Sequence, residues 1–74
     1  MAKVTVEDAA WLLAISKQAL REWLKKKDCK IGTAYKPGNS NKYMYIIFVK
    51  DLCEVLGKSV EQVEKLLSDY HKMT

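Results

Sequence analysis

The 74-residue sequence is poor in the residues that break, staple or charge-neutralise a chain: it has one proline, three glycines, two cysteines and one histidine. Cys29 and Cys53 lie far apart and form no CxxC pair, which excludes a disulfide scaffold and a clustered zinc site. The two thiols are expected to be reduced and structural, in a cytoplasmic protein. His71, the lone histidine, falls near the C-terminus, where fraying is expected. Gly32, Gly38 and Gly57 are isolated, so no glycine loop is present to cradle a phosphate. No histidine pairs with a nucleophile in a recognisable motif, and no ligand cluster is visible. These absences predict a chain that is no enzyme, with no catalytic residue, no metal, no cofactor and no small-molecule substrate. No stretch approaches the ~20 apolar residues of a membrane span. The start, Met1 to Val6, lacks the apolar region of a secretory leader.

What is present is globular in balance, with 49% hydrophobic and 30% charged residues. A chain of this length forms one domain, expected over 1–74, and buries only roughly 60% of its unfolded surface. The net charge is +4 and the pI about 9.1. The excess is concentrated between positions 17 and 42. There Lys17, Arg21, Lys25, Lys26, Lys27, Lys30, Lys36 and Lys42 face only Glu22 and Asp28, a net +6. From Asp51 onward the balance is −2. A basic middle beside a turn-and-helix pattern points to nucleic acid as partner.

Local signals give an order of elements. Thr5 can N-cap a first helix with Asp8 at the N3 position. Ala9, Ala10, Leu12 and Leu13 supply its apolar face, with Trp11 beside them, and it stops near Ala14 and Ile15. Ser16 can cap a second helix over Lys17 to Lys27, in which Leu20, Trp23, Leu24 and the stem of Lys27 recur at helical spacing. A first strand over Lys30 to Lys36, a tip of turn formers from Pro37 to Asn41, and a second strand over Lys42 to Val49 make a β-hairpin. The inward residues of the second strand are expected to start at Tyr43 or Met44 and to run through Ile46 and Phe48. Lys50 to Leu56 then read as a short helix closed by Gly57. Ser59 and Gln62 form the capping box of a last helix over about 60–71, with Val60, Val63, Leu66, Leu67 and Tyr70 as its apolar stripe. That helix can cap the core or make a dimer. The fold class expected is α+β and mostly helical, in the order helix, helix, hairpin, helix, helix.

Two short helices joined by a tight turn are a helix-turn-helix candidate over about 6–27. Ala10, Leu13, Ile15, Leu20 and Leu24 would form the shared core, leaving the N-terminal half of the second helix to project. The major groove is wide enough for one such helix. Arg21 has the geometry for guanine and Gln18 for adenine. Lys17, Lys25 and Lys26 suit phosphates, and the helix start at Ser16 offers free N–H groups to another. Trp23 is expected in the core. The hairpin, about 30–49, would be a wing, with Tyr35, Lys36, Asn39, Asn41 and Lys42 along the backbone or in the minor groove.

Three pieces carry a resemblance. They are V-T-V-E-D-A-A-W-L-L-A-I-S-K-Q-A-L-R-E-W-L, the strand I-G-T-A-Y-K, and the passage Y-M-Y-I-I-F-V-K-D-L-C-E-V-L-G. In order and spacing they resemble the MerR-like winged-helix proteins of the excisionase family, from Val4 to Gly57. The resemblance implies a winged helix-turn-helix that binds double-stranded DNA. It places Lys17, Gln18 and Arg21 in the major groove and a wing between Lys36 and Lys42. It also implies a role in bending DNA or assembling a recombination complex, or in repression. A recombinase or a second copy of the chain would be further partners. The wing tip P-G-N-S-N lacks the arginine cluster frequent in that family, and the last helix has no counterpart in its minimal members. A competing expectation is a winged-helix module that contacts mainly protein, in a phage packaging or replication complex.

Overall fold

The computed structural model describes residues 4–73; positions 1–3 and 74 of the domain expected over 1–74 lie outside them. The chain runs α1 (Val6–Leu13), α2 (Lys17–Leu24), β1 (Gly32–Tyr35), β2 (Met44–Ile47), α3 (Val49–Leu56) and α4 (Val60–Met73). Four helices and one two-stranded antiparallel sheet make a small α+β domain, mostly helical.

Each helix end has a local chemical cause. Thr5 is extended and its N–H donates to Asp8 Oδ2 (3.2 Å), while the Asp8 N–H donates to Thr5 Oγ1 (3.1 Å). Two orphan donors of α1 are thereby satisfied reciprocally. Its C-terminus closes when Ala14 turns left-handed (φ 58°), with Ala14 N–H bonding Trp11 O and Ile15 N–H bonding Ala10 O. A left-handed alanine costs about 1–2 kcal/mol. These backbone bonds and the immediate restart of the chain at Ser16 hold it there. The Ser16 hydroxyl accepts from Ala19 N–H (3.0 Å) and starts α2. Gly57 (φ 68°) closes α3 by the same left-handed device, and Ser59 and Gln62 exchange bonds of 3.2 and 2.8 Å to start α4.

The core draws on every helix. Ala9 and Ala10 of α1, Leu20 and Leu24 of α2, Ile31 ahead of β1, Leu52 and Cys53 of α3, and Val63 and Leu67 of α4 are buried together, with Val4. Trp23 is half-buried against them, as are Leu13 and Cys29. Ile15, expected in this core, is 39% exposed instead. It follows the left-handed residue, and its backbone closes α1 while its side chain faces out. Lys27 is likewise exposed, because α2 ends at Leu24, a turn earlier than expected. Lys25 to Lys27 offer no apolar side chain to hold another turn on the core. The chain instead winds through tight bonds, Lys26 N–H to Trp23 O and Cys29 N–H to Lys26 O.

The hairpin pairs Gly32 with Ile47, Thr33 with Ile46, Ala34 with Tyr45 and Tyr35 with Met44. Ala34, Tyr45 and Ile47 turn inward. Met44, Ile46 and Phe48, expected inward, are 50%, 41% and 41% exposed. The run Met44 to Phe48 is apolar at every position, so alternation carries no phase information. The phase comes from Gly32. A Cβ there would lie 2.7 Å from Leu24 Cδ2 and would overlap the Ile46 carbonyl oxygen. Only a glycine lets β1 lie this close to α2, and that seats the Gly32–Ile47 pair facing inward.

α4 covers the core within the same chain and its far end meets the start of α1. Trp11 and Tyr70 stack with ring centroids 4.4 Å apart. Tyr70 Oη donates to Glu7 Oε1 (3.3 Å), and His71 Nε2 lies 2.8 Å from Asp8 Oδ1. His71 is therefore docked rather than frayed. Asp8 is only 5% exposed. Burial by itself pushes its carboxyl up, but the hydrogen bonds with His71 and Thr5 outweigh burial and hold it below the ordinary carboxylate value. Burial pushes the Cys53 thiol up. Both cysteines are free. Among the described residues no helix is long and apolar enough to cross a membrane.

Candidate nucleic-acid interface

The packing of α2 decides which of its residues point outward. Leu20 and Leu24, one turn apart, are buried. Lys17, Arg21 and Lys25 follow one another at four-residue spacing along one flank, and Gln18 and Glu22 form the next stripe round. Lys17 and Gln18 are exposed and Arg21 is half-buried. Three cations stacked one per turn repel each other by a few tenths of a kcal/mol per neighbouring pair. Among the described residues, neither Lys17 nor Arg21 has a carboxylate within 4.0 Å, whereas Lys25 has Glu22 at that distance.

The hairpin meets this flank through Tyr43. Past the Tyr35–Met44 pair the side chains alternate back to the inner face, where Tyr43 lies 6.3 Å from the Tyr45 ring. Lys25 Nζ is 4.7 Å and Lys36 Nζ 4.9 Å from the centre of the Tyr43 ring. One lysine follows α2 and the other follows β1, so the tyrosine gathers the basic ends of two elements. Each cation–π contact contributes about 0.5–1 kcal/mol at an exposed site. The tip beyond is ordered by its own bonds. Ser40 N–H donates to Pro37 O (3.0 Å) across Gly38 at φ 51°, and Lys42 N–H donates to Ser40 Oγ (3.1 Å). Asn39, Asn41 and Lys42 are exposed along it.

The expected site residues divide accordingly. Ser16, Lys17, Gln18, Arg21 and Lys25 lie along α2 and its ends, with Lys26 exposed just beyond. Lys25 and Lys36 are brought together. Tyr35 is not brought to them: it pairs with Met44 on the outer face of the hairpin. Lys30, counted in the basic stretch, turns to Glu54 on α3 (3.7 Å). Two residues escaped the sequence reading. Tyr43, offered by the sequence as an inward strand residue, is 39% exposed instead, and a ring contacted by two lysines distant in sequence has no local signature. Glu22 was read only as an opposing charge, although its spacing of four from Gln18 and three from Lys25 was legible.

Among the described residues no three His, Cys, Asp or Glu side chains converge as metal ligands would. No protein family, curated protein or solved structure matches the chain.

Proposed function

We propose that this chain is a winged helix-turn-helix module that binds double-stranded DNA, with α2 in the major groove and the hairpin along the backbone or minor groove. The observation that carries the reading is that Lys25, at the end of α2, and Lys36, just after β1, both lie against the Tyr43 ring, which sets a cation of the helix beside a cation of the hairpin. An α-helix with its side chains is about 10–12 Å across, which the roughly 12 Å width of the major groove admits. In this arrangement Arg21 reads guanine and Gln18 reads adenine. Lys17, Lys25, Lys26, Lys36 and Lys42 position the module on phosphates. The resemblance to excisionase-type proteins extends the proposal to DNA bending, assembly with a recombinase, or repression in the cytoplasm.

Fluorescence anisotropy on duplex DNA across a salt series tests it. Affinity is expected to fall steeply with salt, with a slope near −0.9 per neutralised phosphate. The double variant K36A/K42A is expected to bind all sequences more weakly and to lose about two units of that slope. Arg21→Ala is expected to weaken binding to a preferred site by about 1–3 kcal/mol and to relax one base position. A parent chain with no salt-dependent duplex binding overturns the proposal. One feature favours a second reading, a protein-interaction module: the outer hairpin face presents Tyr35, Met44 and Ile46, with Phe48 beyond, all exposed. Apolar surface of this kind marks contact sites, and absent DNA binding would make that face the functional one.

A further inference from the structure

A carboxylate stands in the middle of the surface described above. Glu22 is one turn beyond Gln18 and one turn before Lys25, and its side chain is 59% exposed. Gln18 Nε2 donates to Glu22 Oε1 (3.1 Å), and Lys25 Nζ lies 4.0 Å from the same oxygen. Oε1 takes both contacts; no described residue bonds Oε2. On a surface for phosphates alone, such a charge only weakens binding. An acceptor held outward on a groove-facing helix does something a lysine cannot: it accepts from a base amino group and repels base acceptors.

We infer that Glu22 is a specificity-determining residue that selects a cytosine amino group in the major groove and fixes the adenine-reading orientation of Gln18. The inference rests on the DNA-binding reading of α2. Cytosine presents the N4 amino donor there, while guanine presents only the O6 and N7 acceptors and thymine the O4 acceptor. A carboxylate accepts from the first and is repelled by the others; adenine also offers an amino donor, at N6, but sets its N7 acceptor beside it, which opposes a carboxylate as cytosine does not. Its effect on Gln18 follows from the same chemistry. A carboxylate can only accept, so the Gln18 NH₂ is the end that faces it. That orientation leaves the amide oxygen and the second N–H of Gln18 for an adenine, which offers one donor and one acceptor. The Gln18–Glu22 stripe thus reads base donors, while the Lys17–Arg21–Lys25 flank beside it supplies charge and a guanine contact. Lys25, shared between Glu22 and Tyr43, restrains the carboxylate from the hairpin side.

Selection of binding sites from a random duplex library, run with the parent, Glu22→Gln and Lys17→Ala, tests this. Glu22 is solvent-facing, so Glu22→Gln is expected to fold as the parent does by far-UV circular dichroism. The parent is expected to enrich cytosine at one position beside an adenine. Glu22→Gln is expected to lose that cytosine preference, a discrimination of about 5- to 150-fold, while binding unselected duplex more tightly at low salt. Lys17→Ala is expected to weaken binding and keep the preference. A Glu22→Gln variant that enriches the parent motif unchanged overturns the role of Glu22, whether or not its overall affinity rises. A parent that enriches nothing and shows no salt-dependent binding overturns the DNA reading itself, and this inference with it.

Discussion

Gly32→Ala places a methyl group where β1 meets α2. The added Cβ would overlap the Ile46 carbonyl oxygen across the ladder and sit 2.7 Å from Leu24 Cδ2. Neither neighbour yields easily: the first is backbone in a paired strand, and Leu24 is fully buried in the core. Overpacking of this kind costs about 3 kcal/mol. Loss of glycine freedom in the unfolded chain returns about 0.4–1 kcal/mol, leaving a net destabilisation of about 2 kcal/mol. Total stability for 74 residues is about 4–11 kcal/mol, so the loss is a large share of it. The midpoint of thermal unfolding, followed by far-UV circular dichroism, is expected to fall by about 8–16 °C. The same strain pushes the hairpin away from α2 and separates Lys25 from Lys36 at the Tyr43 ring. Duplex affinity of the folded variant is therefore expected to fall as well, although no charge has changed. A Gly32→Ala variant within about 0.5 kcal/mol of the parent would show that β1 does not depend on this close approach.

The two faces of the hairpin separate in a paired test: Met44→Lys is expected to leave urea stability within about 0.5 kcal/mol of the parent, whereas Ile47→Lys is expected to cost about 2–4 kcal/mol. Equal losses would contradict the inward phase of Tyr45 and Ile47. Asp8 predicts an acid limb. Its folded carboxyl binds a proton less readily than the unfolded one, whose value is near 3.8. Its stabilisation is therefore complete above about pH 4 and disappears as the pH falls through the lower folded value. The urea midpoint of the parent should drop more steeply on acidification than that of Asp8→Asn; parallel curves would remove Asp8 from the acid response.

Much of the chain's punctuation was legible one helix turn at a time. Thr5 with Asp8, Ser16, Gly57, and Ser59 with Gln62 act on backbone groups three or four residues away, so their roles are written in local spacing. The order of elements followed from them. The basic stretch was also legible as composition, but not its subdivision into Lys30 turned toward Glu54 and Lys25 and Lys36 gathered on Tyr43.

The amino-acid order by itself determined four helices, a hairpin, their caps and a basic middle, because each of those depends on neighbours within a turn or a strand. The tertiary structure alone decided which face of Met44 to Phe48 is inward, that His71 reaches Asp8, and that two lysines share one tyrosine. Those outcomes depend on a missing Cβ at Gly32 and on contacts between residues distant in sequence, about which local periodicity carries no information.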